Sequence, residues 1–262
     1  MTTSASAGAG PARADPSPFD LPGDGRAAAL CLHGLTGTPY EVRPLGEALA
    51  RRGIRARGPA LPGHNETPER LARVPHTEWC QAALSHLRAL RAGSERVFVV
   101  GLSMGGLLAL DLAAAEPVDG VITIGTPLRL HHPLAWLIPL FKHLTPMRPK
   151  PEGSDICDAA ARERHPSYDV MPLHALHELQ RLQRRVRQRL ARVTAPILVT
   201  HGVRDRTARP ADARRIHAGV GSLIRELIFF ESSGHVVPVD FDGPRLAEAA
   251  GEFLVRISHQ LP

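Results

Sequence analysis

Ser103 sits in the stretch Val99-Val100-Gly101-Leu102-Ser103-Met104-Gly105-Gly106, a serine framed by glycines with an apolar run on each side. This is the G-x-S-x-G pattern, in which a strand turns sharply into a helix and holds the serine hydroxyl at the tip of a strained turn. Small neighbours are needed there because the strand and helix backbones approach closely. A serine hydroxyl is a weak nucleophile at neutral pH. It becomes reactive when a histidine takes its proton and a carboxylate orients that histidine. The chemistry that Ser103 points to is attack on a carbonyl carbon with a covalent intermediate, and the chain must then supply a base, an acid and donors for the developing oxyanion.

With a serine on such a turn, the acid and then the histidine follow it in chain order, and open sheets gather their ligands at the C-terminal ends of strands. Of the 14 histidines, His235 directly follows the last strand-like run, Glu226 to Phe230, with Gly234 before it to aim the loop. His217 falls in a helical stretch and His259 near the C-terminus. The acid is expected in the loop Gly202-Val203-Arg204-Asp205-Arg206 after the run Pro196 to His201, which offers one carboxylate, Asp205. Glu231 is the rival, four residues before His235, whereas Asp240 and Asp242 come after the histidine and break the order. The oxyanion donors are expected to be the N–H of Met104, next to the nucleophile, and that of Leu35, in the loop opened by His33-Gly34. Each such donor is worth about 3–4 kcal/mol in the transition state, and a helix starting near Met104 adds its positive end to the same place. His33 is read as holding its loop by hydrogen bonds. Activity is expected to fall as His235 becomes protonated, with a midpoint at about 6–7.

The elements that must position these residues follow from periodicity. Ala27 to Leu32, a short apolar run bounded by glycine, reads as a buried strand, and Ile54 to Leu61, Val97 to Val100, Gly120 to Ile124, Pro196 to His201 and Glu226 to Phe230 read as further strands. Between them lie helices: Thr38 to about Arg52, opened by the apparent capping box Thr38-Pro39-Tyr40-Glu41; Thr77 to Ala92; Met104 to Ala115; Pro210 to about Ala218; and Pro244 to Ile257. Alternating strands and helices predict an α/β architecture, a mostly parallel sheet of at least six strands with helices on both faces. The alternation breaks between Thr126 and Thr194, so an insert of about 127–194 is expected to form a small helical cap after the fourth visible strand. Its apolar cluster contains Leu134, Trp136, Leu137, Ile138, Leu140 and Phe141, of which Leu134, Trp136, Leu137, Ile138 and Phe141 are the candidate substrate contacts. The insert ends in an amphipathic helix from about Pro172. Leu173, Leu176, Leu179, Leu182, Val186, Leu190 and Val193 line one face, and five arginines between Arg181 and Arg189 mark a solvated one.

Together, His33-Gly34-Leu35-Thr36-Gly37-Thr38-Pro39, Gly101-Leu102-Ser103-Met104-Gly105-Gly106, the Asp205 loop and Ser233-Gly234-His235 resemble the bacterial carboxylesterase and monoacylglycerol lipase branch of the α/β-hydrolase superfamily, in its small thermostable-esterase type. The resemblance covers about Ala27 to Ile257. It implies the α/β-hydrolase fold, a Ser103–His235–Asp205 triad, no cofactor, and hydrolysis of small ester or acylglycerol substrates. Within the same fold, a monoacylglycerol lipase is the near alternative, and a ligand-binding protein without turnover is the alternative from another class. An aspartate at the elbow would have marked dehalogenase or epoxide-hydrolase chemistry.

Composition bounds the remaining classes. Only 4% of the 262 residues are aromatic, so the core has to be built from Leu, Val, Ile and Ala. The net charge of +6 comes mainly from arginines scattered without interleaved stacking aromatics, which argues against nucleic acid as a partner. Three cysteines, Cys31, Cys80 and Cys157, have no framework spacing and fit a reducing compartment. His131-His132 and the pair His174/His177 have no converging acidic residues and are read as surface, not metal ligands. Residues 1–20 lack the basic and apolar regions of a signal peptide and read as a flexible tail before a domain over 21–262, and no apolar run is long enough for membrane anchoring. A cytoplasmic protein is expected.

Overall fold

The computed structural model describes residues 13–260. The expected tail over 1–20 lies outside the described residues as far as position 12. From Arg13 onward the chain is tied down: Ala14 N–H donates to Arg164 O (2.9 Å), Asn65 Nδ2 to Pro16 O (2.6 Å) and Arg43 Nη2 to Ser17 O (2.8 Å). The tail boundary at residue 20 is therefore corrected, because Phe19–Leu21 forms an edge strand, β1. Three residues are too few to show a period.

The strands that follow are β2 (Ala27–Leu32), β3 (Ile54–Gly58), β4 (Arg96–Leu102), β5 (Gly120–Ile124), β6 (Met147–Pro149), β7 (Val170–Pro172), β8 (Ile197–Gly202) and β9 (Arg225–Phe230). The helices are α1 (Arg43–Ala50), α2 (Pro68–Ala72), α3 (His76–Arg91), α4 (Met104–Ala113), α5 (Ile138–Leu144), α6 (Ala159–Arg164), α7 (Leu173–Arg189), α8 (Pro210–Gly219) and α9 (Gly243–Gln260). One seven-stranded sheet runs β1-β3-β2-β4-β5-β8-β9, parallel except for β1, and β6 and β7 form a separate antiparallel pair. All six expected strands are present in it.

Strands buried on both faces divide their side chains between two cores. Ala28, Leu30 and Leu32 of β2 join Val97 and Val99 under α3, α4 and α7, while Ala27, Ala29 and Cys31 join Phe98 and Val100 under α1 and α9. This is the two-residue alternation of a pleated strand, hidden in the sequence because both faces are apolar. All ten residues of α4 are buried, as expected of a central helix with no polar stripe.

Two local expectations fail. Thr38 makes no side-chain cap, and Glu41 turns its carboxylate inward instead of back to the helix start. A short 3-10 turn, Pro39–Val42, therefore precedes α1, with Glu41 only 4% exposed. The arginine face of α7 is also only partly solvated: Arg185 Nε and Arg189 Nη1 donate to the buried Asp111 of α4 at 2.7 and 2.9 Å.

Candidate active site

The parallel strands end together, and their C-terminal ends carry the candidate residues. Ser103 follows β4 with φ 54° and ψ −114°, a conformation that non-glycine residues rarely adopt. Its N–H donates to Ile124 O at 2.8 Å, which docks the turn on β5. The elbow needs its glycines: a Cβ on Gly105 would strike Leu32 O, and one on Gly106 would strike Thr126 Oγ1.

Asp205 and His235 come from the loops after β8 and β9. His235 Nδ1 lies 2.8 Å from Asp205 Oδ2, and Asp205 Oδ1 accepts the N–H groups of Thr207 (2.8 Å) and Ala208 (2.7 Å). The Nδ1–H to carboxylate bond fixes the tautomer and leaves Nε2 as the proton acceptor. Burial opposes charge on His235, but the neighbouring Asp205 outweighs it and the imidazole pKa is raised. Burial would likewise raise the Asp205 carboxyl, yet His235 and His201 hold it well below the usual carboxylate range.

His201 was missed by sequence reasoning. At the end of β8 and fully buried, it places Nε2 2.9 Å from Asp205 Oδ2 and 3.2 Å from Ala208 O. Its signal was its place four residues before the acid on the same strand end. Gly125 was also missed. It has φ +53°, and a Cβ there would lie 3.3 Å from His235 Nδ1 and 3.4 Å from Asp205 Oδ2. The rival acids do other work. Asp240 accepts from the N–H groups of Gly234, Cys157 and Asp158, and Asp242 from Ser232 N–H and Ser233 Oγ, so both brace the histidine loop, and exposed Glu231 contributes its carbonyl to Arg204.

On the opposite side, Gly34 approaches Ser103 so closely that a Cβ on it would sit 3.4 Å from Ser103 Cβ. Leu35 is the next residue, and Met104 is the first of α4; among the described residues neither N–H donates to a protein acceptor. The loop is held from both sides. Gly34 N–H donates to Glu41 Oε2 at 2.7 Å, and Glu41 Oε1 is 3.1 Å from His165 Nε2 of the insert. Lys150 Nζ donates to Thr36 Oγ1 (3.0 Å) and Tyr168 N–H to Thr36 O (3.1 Å), steadying Thr36 at φ 65°. His33 is fully buried; its Nδ1 is 2.9 Å from Gly34 O while Nε2 accepts from Leu61 N–H at 3.1 Å. Burial lowers its pKa, consistent with a neutral ring that holds the loop.

The cap residues divide. Leu134, Ile138 and Phe141 line a cavity of about 570 Å³ that reaches the acid loop at Arg206 and Thr207; Ser103, 8% exposed, is not part of its wall. Trp136 borders a different groove, and Leu137 lines neither. The remaining histidines are placed by local partners: His131 Nε2 is 2.9 Å from Asp212, His177 Nδ1 is 3.0 Å from Lys142 Nζ, and His174 meets His143 edge to face.

The family described as "Serine aminopeptidase, S33" matches residues 23–242. The chain belongs to this hydrolase family. A relative named "Thermostable monoacylglycerol lipase" from Bacillus sp. (strain H-257) is 30% identical over 237 residues, covering 89% of this chain and 92% of the relative. A "Carboxylesterase" from Bacillus subtilis (strain 168) is 27% identical over 243 residues, 92% of this chain and 97% of the relative. A solved structure from the work on LipS and LipT, two metagenome-derived lipolytic enzymes, is 29% identical with a TM-score of 0.87, covering 95% of this chain and 100% of that one. As a member of the hydrolase family with this fold, the chain is a serine hydrolase of the α/β-hydrolase type, and these relatives are named for ester cleavage. Among the described residues, no helix of this hydrolase is long and apolar enough to cross a membrane.

Proposed function

We propose that the protein is a carboxylesterase that works through an acyl-enzyme on Ser103. His235 Nε2 takes the Ser103 proton as Oγ attacks the ester carbonyl. Asp205 holds the imidazole in the required tautomer and stabilises the imidazolium. The N–H groups of Leu35 and Met104 bind the tetrahedral oxyanion. The alcohol leaves with the proton from His235, and water, deprotonated by the same histidine, releases the acid. No cofactor takes part. The observation that carries this reading is the 2.8 Å bond between His235 Nδ1 and Asp205 Oδ2 at the strand ends that also present the strained Ser103.

A second reading, monoacylglycerol hydrolysis, is favoured by the cap. Leu134, Ile138, Phe141, Leu173 and Leu176 give the cavity of about 570 Å³ an apolar lining, an arrangement suited to a long acyl chain. The relative named a monoacylglycerol lipase supports it as well. Labelling with a fluorophosphonate followed by peptide mapping tests the common mechanism: modification at Ser103 is expected, and a folded protein left unlabelled would mean a binding protein without turnover. A rate profile over nitrophenyl esters of increasing chain length, set beside a long-chain monoacylglycerol, separates the two substrates.

A further inference from the structure

The arginines of α7 fall into two stripes with different fates. Arg185 and Arg189 are neutralised by Asp111. Arg181, Arg184 and Arg187 follow one another at three-residue steps, so their Cα atoms span about 9 Å along the axis, and together with Arg129 they line a groove of about 470 Å³ bordered by Trp136 and His177. No carboxylate belongs to its wall. The nearest acids are engaged elsewhere: Glu178 accepts from His76 N–H and Nδ1 besides meeting Arg181 at 3.2 Å, and Asp212 accepts from Leu128 N–H, Arg129 N–H and Arg215 and meets His131. Among the described residues, Arg129 and Arg184 form no ion pair. The wall is also preorganised, since Gln180, Gln183 and Arg187 donate to the carbonyls of Ala135, Pro127 and Leu128 at 2.7, 3.0 and 2.6 Å and fix the cap backbone against α7.

We propose that this groove is a binding site for a phosphate group, separate from the catalytic residues. Four guanidinium groups around a concave surface that holds no carboxylate match a dianion, and their planar forks suit paired phosphate oxygens. Arg181 has Glu178 as a counter-charge, whereas Arg129 and Arg184 form no ion pair among the described residues, and like charges so placed repel. Arg187, half-buried, has its pKa lowered by burial and by Arg129 and Arg184, against the opposing pull of Asp212. A bound phosphate removes that repulsion. A solvated basic face with no ligand would gain nothing from concavity or from the three side chains that rigidify the wall.

Trp136 supplies the readout. The chain has two tryptophans, and Trp136 is 73% exposed at the groove while Trp79 is fully buried. The full-length protein is titrated with inorganic pyrophosphate, and in a second arm with phosphatidylcholine vesicles with and without phosphatidate, while tryptophan emission is followed. A saturable change with pyrophosphate, absent with sodium chloride at equal ionic strength and absent in Trp136→Phe, is the expected result and assigns a soluble phosphate ester. A change confined to phosphatidate vesicles assigns a lipid-borne phosphate. Arg184→Gln and Arg129→Gln should each weaken half-saturation about tenfold or more, as loss of a charge-assisted contact predicts, with melting temperature and hydrolysis of an uncharged ester unchanged. No response beyond that of sodium chloride in either arm, or an unaltered response in the double variant, overturns the proposal. The readout is binding, so its failure leaves the proposed ester hydrolysis untouched.

Discussion

Replacing Glu41 by glutamine tests how the loop proposed to supply an oxyanion donor is held. Glu41 is 4% exposed, and its two carboxylate oxygens face different neighbours: Oε2 accepts Gly34 N–H at 2.7 Å and Oε1 meets His165 Nε2 at 3.1 Å. Burial alone would raise its pKa, but His165, His33 and the Gly34 N–H hold it below the ordinary value, so the side chain is an anion at neutral pH. Glutamine keeps the shape and one acceptor, yet whichever way it turns, its NH₂ faces Gly34 N–H or His165 Nε2. A hydrogen bond to a buried charge contributes about 1.5–3 kcal/mol, so a loss of about 2 kcal/mol is expected, or about 4–8 °C in melting temperature for a chain of this size. The catalytic effect is the sharper one. Gly34 precedes Leu35, and loss of one oxyanion donor lowers kcat about 10²–10³-fold. A loosened loop should weaken that donor without removing it, so kcat should fall about 10–100-fold with KM within about threefold. Calorimetry and steady-state hydrolysis of nitrophenyl butyrate measure both. A lower melting temperature with kcat unchanged would refute the reasoning, because the Glu41 contact would then be structural and would not govern Leu35.

Three further outcomes are expected. The imidazole of His235 must be neutral to act as a base and its pKa is raised, so kcat/KM should fall as pH drops through a midpoint above 6.5; Asp205→Asn should lower kcat about 10⁴-fold and shift the midpoint toward lower pH, and an unmoved acid limb would exclude Asp205 as the source of the shift. Gly125→Ala forces a side chain into φ +53° beside His235 and Asp205. It should cost about 1–2 kcal/mol and at least about tenfold in kcat, checked by urea unfolding and kinetics. Asp111→Ala frees Arg185 and Arg189, 41% and 27% exposed, to be solvated; unfolding free energy should drop by about 1–2 kcal/mol, between surface and buried pairs, with kcat unchanged.

The parts of the site readable in the sequence are those whose chemistry is local. The elbow carries its glycines beside it, Asp205 follows a strand whose apolar run is continuous because both faces are buried, and His235 follows the partly buried edge strand β9. Glu41 shows the opposite case. Its spacing from Thr38 satisfies a capping box, but the box offers a solvent-side hydrogen bond, whereas Gly34 N–H and His165 offer a buried one across seven and 124 residues. Local pattern cannot rank those partners, since the second comes from the insert. Gly125 was invisible for the same reason, since it faces the Asp205 and His235 loops from the end of β5, whereas His201 was passed over inside an apolar run although it stands only four residues before Asp205. The cap was less legible, because apolar composition does not say which side of a short helix faces the cavity.

The insert between β5 and β8 divides by its hydrogen bonds into two parts with different duties. Asp155 O accepts His235 N–H at 2.9 Å, while the Asp155 carboxylate accepts the N–H groups of Arg206 (2.7 Å) and Thr207 (3.0 Å) beside the acid. Cys157 and Asp158 N–H donate to Asp240, which also holds Gly234 N–H. Lys150, His165 and Tyr168 reach the oxyanion loop. The stretch from Lys150 to Tyr168 is thus bonded to the loops of the proposed acid, base and oxyanion donors at once, and displacing it would break contacts on which all three depend. A segment so placed serves to assemble the site. The stretch 130–147 carries the exposed apolar residues and has α7 as its main support, through Gln180 and the packing of α5. Among the described residues its hydrogen bonds outside the β6–β7 pair run within itself and to α7 and Asp212, so it bears on the three loops through the cavity wall instead.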